Sequence, residues 1–97
     1  MPLHTLNKAP GHNAYSDCLG LLAASDALLL LGDGVYAALA TTPSASCLAA
    51  TGAAIYVLRA DALAAGVVKR LMPEATVIDD AGFVALTEQW PQQLAWH

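Results

Sequence analysis

Two cysteines, Cys18 and Cys47, are the side chains of this 97-residue chain best suited to nucleophilic chemistry. A cysteine thiolate can accept a sulfane sulfur and hold it as a persulfide, provided that its pKa is lowered and solvent reaches it. Cys18 falls at helical spacing with Tyr15, Leu19 and Leu22, on one apolar face. Its neighbour Asp17 would raise the thiol pKa rather than lower it. Two readings of Cys18 therefore stand side by side. It is a sulfur-accepting thiol, or it is a core residue of the kind that free cysteines often become. If it accepts sulfur, Cys18→Ser abolishes sulfur loading of the chain. Cys47 borders a Ser/Thr/Pro stretch and is expected to be the more exposed thiol. The separation of the two fits neither a CxxC pair nor a zinc spacing, so both are read as free.

The other chemical candidates are weaker. Gly32-Asp33-Gly34 follows an apolar run, where a strand would hand over to a helix whose free N–H groups could hold an anion. The second half of a dinucleotide fingerprint is missing and no P-loop pattern occurs, so a tight turn with Asp33 as a cap is the simpler reading. His4, His12 and His97 form no metal spacing with any Asp or Cys. His4 lies in a strand candidate, as a packed and hydrogen-bonded side chain. Asp79 and Asp80 are read as helix caps. The sequence thus names Cys18 as its one candidate site residue, with no cofactor and no metal.

These residues need a scaffold, and the pattern supplies one. Leu3–Leu6 reads as a short strand closed by the turn cluster Asn7 to Gly11. Asn13 can cap a helix running to about Ala24. Ala27–Leu31, bounded by Ser25-Asp26 and Gly32-Asp33-Gly34, suits a fully buried parallel strand. A short helix follows over Val35–Ala40, then a polar loop over Thr41–Ser46 and a helical piece over Cys47–Ala50. Ala53–Leu58 is the clearest strand. Ala60–Ala65 reads as a helix stopped by Gly66. Thr76–Ile78 is another strand, and a last helix runs from Gly82 to about Trp90, where Pro91 ends it. Leu94-Ala95-Trp96 is an apolar tail or a final edge strand, tied to its own domain or to a neighbour. Strict β–α alternation predicts an α/β fold, with a mostly parallel sheet of four to five strands and helices on both faces. One domain over residues 1–97 accommodates all of it.

Composition narrows the partners. Hydrophobic residues make up 57% of the chain and charged ones 12%, against roughly 45–50% and 25% in an ordinary domain. That excess predicts that some apolar side chains face another subunit. The formal charge is −4, and of the four cations only Lys69 and Arg70 are adjacent. Direct nucleic-acid binding needs clustered phosphate-neutralising charge, so it is not expected. The longest apolar stretch is broken at Gly20, at Ser25-Asp26 and at Gly32-Asp33, short of the roughly 20 residues of a spanning helix. His4, Asn7, Lys8 and Pro10 occupy the place of a signal peptide's apolar run. The expected location is cytoplasmic.

The ordered set of motifs resembles one family over nearly the whole chain. Leu3-His4-Thr5-Leu6-Asn7-Lys8-Ala9-Pro10 is similar to the opening of the TusB/DsrH family of sulfur-relay subunits. Leu28–Leu31 with Gly32-Asp33-Gly34-Val35-Tyr36-Ala37-Ala38-Leu39 resembles its central strand–turn–helix segment. Ile55–Leu58 with Asp61, Leu63, Ala65 and Gly66 resembles its middle third. Val77-Ile78-Asp79, Phe83-Val84, Leu86-Thr87 and Gln93–Trp96 resemble its last. Gly32 and Asp80 depart from the residues usual at their positions.

The resemblance implies a flavodoxin-like three-layer subunit of a hetero-oligomer with TusC/DsrF-like and TusD/DsrE-like partners. In it, sulfur arrives from a TusA-like donor and leaves to a TusE/DsrC-like acceptor, and the main persulfide cysteine sits on the TusD/DsrE-like chain. It further implies 2-thiolation of the tRNA wobble uridine as the destination, with dissimilatory sulfur oxidation as the alternative. A cysteine in the first helix, as Cys18 is, resembles DsrH-type members. The rival class is a small anion- or ligand-binding module built on Gly32-Asp33-Gly34. A third reading is an independent sulfurtransferase, which needs an exposed, low-pKa Cys18.

Overall fold

The computed structural model covers Met1–His97. Five strands form one sheet: β1 (Leu3–Leu6), β2 (Ala27–Leu30), β3 (Ala54–Leu58), β4 (Ala75–Ile78) and β5 (Gln93–Trp96). The order across the sheet is β4-β3-β2-β1-β5, and every pairing is parallel. Helices α1 (Asn13–Leu21), α2 (Pro43–Ala50), α3 (Arg59–Ala65) and α4 (Asp80–Gln89) join them, with 3-10 segments at Gly32–Ala38 and Val68–Arg70. This is the expected flavodoxin-like α/β three-layer arrangement, and the apolar tail is its fifth strand.

The strand order dictates the layers. From β1 to β4 each crossover steps the same way across the sheet, so right-handed connections lay their helices on one face. The step from β4 back to β5 runs the other way and puts α4 on the opposite face. The buried residues divide accordingly. One core joins Leu6, Leu28, Leu30, Ile55 and Val57 to Tyr15 and Cys18 of α1, Val35 of the first 3-10 segment, Leu48 of α2 and Ala62 of α3. A smaller core joins Leu3, Ala27 and Leu29 to Leu86 of α4, with Phe83 and Trp90 beside it. β2 sits mid-sheet between both layers, and Leu28, Leu29 and Leu30 are wholly inaccessible. A strand covered on both faces needs a continuous apolar run instead of an alternating one. Each such leucine stabilises the fold by roughly 1.5–3 kcal/mol relative to exposure.

Local chemistry moves several boundaries. His12, not Asn13, caps α1: its Nδ1 accepts the Ala14 N–H at 3.0 Å. That helix ends at Leu21, before the expected Ala24. The segment expected as a helix over Val35–Ala40 is a 3-10 helix starting at Gly32. The polar loop ends early, because Thr42 caps α2 and Pro43 opens it. Pro at the first helical position loses no hydrogen bond, since that N–H has no partner within the helix. Asp79 is the cap of α4, its Oδ1 accepting the Gly82 N–H at 2.8 Å.

Candidate functional site

Cys18 lies midway along α1 and points into the larger core, with 1% of its surface exposed. Burial pushes its thiol up to about 11, so at neutral pH only about one molecule in ten thousand carries the thiolate. No cation or free helix N-terminus offsets this. Cys47, on α2, is exposed. Tyr15 lies near both thiols. Burial raises its phenol first, and Cys47 and then Cys18 raise it further. The structure therefore brings the two cysteines toward one phenol but gives solvent only to Cys47. As it stands, α1 has to move off the sheet before Cys18 can meet a sulfur donor.

The Gly32-Asp33-Gly34 turn leaves the carboxyl end of β2, where parallel sheets often bind ligands. Here the protein's own groups fill that place. Asp61 Oδ2 accepts the Gly32 N–H at 2.7 Å, which is the donor that a bound anion would need. The Leu31 N–H reaches Leu6 O at 3.1 Å, and Gly34 packs so tightly on β1 that a Cβ there would come 2.1 Å from Leu6 O. What remains is a shallow cleft of about 210 Å³ lined by Gly32, Asp33, Tyr36, Asp61, Ala64 and Ala65. Two carboxylates on such a cleft repel anions. The turn is a packed junction between β1 and β2, and the anion-module reading loses its site.

One polar constellation was only half visible in the sequence. His4, wholly inside β1, faces Asp26 on the loop entering β2, with Nε2 and Oδ2 2.9 Å apart. The same carboxylate oxygen accepts the Ala23 N–H at 3.0 Å. Burial drives the Asp26 carboxyl up. The Ala23 bond, the His4 bond and charge, and the amino terminus together outweigh it, so its pKa lies below the ordinary value of 3.8. On the other side of His4, the Trp96 indole N–H donates to Nδ1 at 3.0 Å. His4 is thus the packed, hydrogen-bonded residue expected of it, but its partners lie 22 and 92 residues away along the chain. The only sequence signal for them is an acid in a turn and an aromatic in an apolar tail.

With this geometry in place, likeness to known proteins is decisive. A family model described as DsrH like protein matches residues 8–93. The chain is 43% identical to Protein TusB of Pectobacterium parmentieri over 94 residues, which covers 97% of this chain and 99% of the relative. It is 42% identical to Protein TusB of Erwinia tasmaniensis and 38% identical to Protein TusB of Sodalis glossinidius, with the same coverage. The chain belongs to the TusB/DsrH family. In this TusB/DsrH family member the first-helix thiol is sealed and the strand–turn junction is closed. Membership carries with it a place in a sulfur-relay complex. No helix of this family member is long and apolar enough to cross a membrane.

Proposed function

We propose that this chain is an assembly subunit of a hetero-oligomeric sulfur-transfer complex that supplies sulfur for 2-thiolation of the tRNA wobble uridine. The observation that carries the reading is near-full-length identity of about 40% to proteins named TusB. Its partners are TusC/DsrF-like and TusD/DsrE-like subunits, with a TusA-like donor and a TusE/DsrC-like acceptor reached through the complex. Residues 1–97 act as one DsrH/TusB-like domain in the cytoplasm, and another component holds the tRNA.

The side chains suit an accessory role. The only buried thiol, Cys18, is held protonated. Leu21, Leu63 and Val84 are each more than half exposed, as expected of a chain whose surface is completed by other subunits. The alternative, a DsrH-type subunit of sulfur oxidation, rests on Cys18, and burial of that thiol weakens it. The independent-sulfurtransferase reading fails on the same observation.

The test is removal of the chain from its host, followed by mass spectrometry of tRNA digests. Loss of wobble 2-thiouridine, restored by the wild-type chain and equally by Cys18→Ser, is expected. Unchanged 2-thiouridine in the deletion strain would contradict the proposal.

A further inference from the structure

The hydrogen-bond directions around His4 are forced. An indole N–H only donates, so Nδ1 of His4 must present its lone pair to Trp96. The ring proton of the neutral imidazole then sits on Nε2, aimed at Asp26 Oδ2. Imidazole and indole planes lie within 14° of each other, with ring centroids 6.2 Å apart. Trp96 donates to His4, and His4 donates to Asp26.

A second proton can enter His4 only at Nδ1. There it would meet the indole N–H, and two donors would face each other. The opposite side of the ring keeps its bond, because a carboxylate accepts from imidazolium more strongly than from imidazole. Protonation therefore costs the Trp96 contact and spares the Asp26 contact. The groups on every side agree with this. Asp26 is the one acid in contact with the ring. The amino terminus acts on Asp26. Tyr15 and Cys18, on the helix covering this face, both stay neutral near pH 7, and Asp17 of that helix points outward. In register with His4 stand Leu28 of β2 and Leu94 of β5, which carry no charge. His97 follows Trp96 at the exposed chain end.

The element at stake is β5. It is an edge strand paired to β1 alone. Of its four side chains, Gln93, Leu94 and Ala95 are exposed, and only Trp96 is half-buried and packed on the larger core. We propose that His4 and Trp96 form a proton-sensitive latch on the C-terminal strand: neutral His4 holds Trp96 and fastens β5, and protonated His4, retained by Asp26, releases Trp96 and loosens β5 while β1 to β4 stay paired. The edge that this chain presents at its C-terminal strand then responds to pH without unfolding the protein.

The test is nuclear magnetic resonance on the full ¹⁵N-labelled chain across a pH series that starts alkaline and is carried down until the His4 ring takes its second proton. It follows the His4 ring nitrogens, the Trp96 indole N–H and the backbone protection factors of every strand. At the alkaline end the His4 nitrogens should report the Nε2–H tautomer, and the Trp96 indole should be protected. As His4 takes its second proton, protection of the Trp96 indole and of the Gln93–Trp96 amides should fall by about ten-fold or more, while β2 and β3 are unmoved. Trp96→Phe should give a loosened β5 at every pH, without the transition. The latch is refuted by an Nδ1–H tautomer, by a His4 titration that leaves Trp96 protected, or by β5 and β2 losing protection together.

Discussion

Gly34 lies directly against the carbonyl of Leu6: a Cβ at Gly34 would stand 2.1 Å from that oxygen. The contact ties the turn after β2 to the end of β1 and closes the crevice in which a ligand would otherwise sit. Gly34→Ala must push backbone against backbone, since no flexible side chain can yield. The expected cost is about 3 kcal/mol or more, which would lower the melting temperature by roughly 10–20 °C in a domain of this size. Thermal unfolding followed by circular dichroism measures it. A variant as stable as the wild type would show that the junction is looser than described.

The two thiols should separate cleanly by reactivity. At about pH 8, an aromatic disulfide reagent should modify Cys47 at once, because that side chain is open to solvent. Cys18 has 1% of its surface exposed and a thiol raised to about 11. It should react only through opening of the fold, slower by roughly a thousand-fold or more. Peptide mapping of the modified chain distinguishes them. Equal rates would reopen the sulfur-accepting role of Cys18.

Asp26 sets an acid limit on stability. Its folded pKa is depressed below the ordinary 3.8. Its contribution is therefore fully present above the unfolded value and is lost as pH falls through the folded one. Urea unfolding at a series of pH values below about 5 should show this loss. Asp26→Asn should flatten that part of the curve and cost about 1–3 kcal/mol at neutral pH, the range for a broken buried charged hydrogen bond. An unchanged acid limb in the variant would mean that other carboxyls carry the effect.

Much of this scaffold is legible in the residues themselves, because the deciding forces are local. Leu28, Leu29 and Leu30 declare a doubly covered strand through their continuity and through the Gly32-Asp33 stop. Tyr15, Cys18 and Leu22 declare the buried face of α1 by spacing. Two local signals were present but outweighed: Thr42-Pro43 is a cap followed by a helix opener, hidden within a stretch rich in loop formers. The end of the 3-10 segment Gly32–Ala38 has a tertiary cause. Leu39 pairs with Leu71, and the Met72 N–H bonds Ala38 O, which fixes where that segment must end. The partners of His4 were beyond reach for the same reason. Asp26 is 22 residues away and Trp96 is 92, and only the strand order β2-β1-β5 brings them to one imidazole. Asp61 reaches Gly32 across 29 residues, so the occupied anion position was equally invisible.

The central claim is that this chain works as one part of a sulfur-relay assembly. The most direct measurement is affinity purification of the tagged chain from its host, followed by native mass spectrometry of what stays bound. The account predicts stoichiometric recovery of TusC/DsrF-like and TusD/DsrE-like subunits, in complexes that also persist with Cys18→Ser. A chain recovered alone, or only with copies of itself, would contradict it.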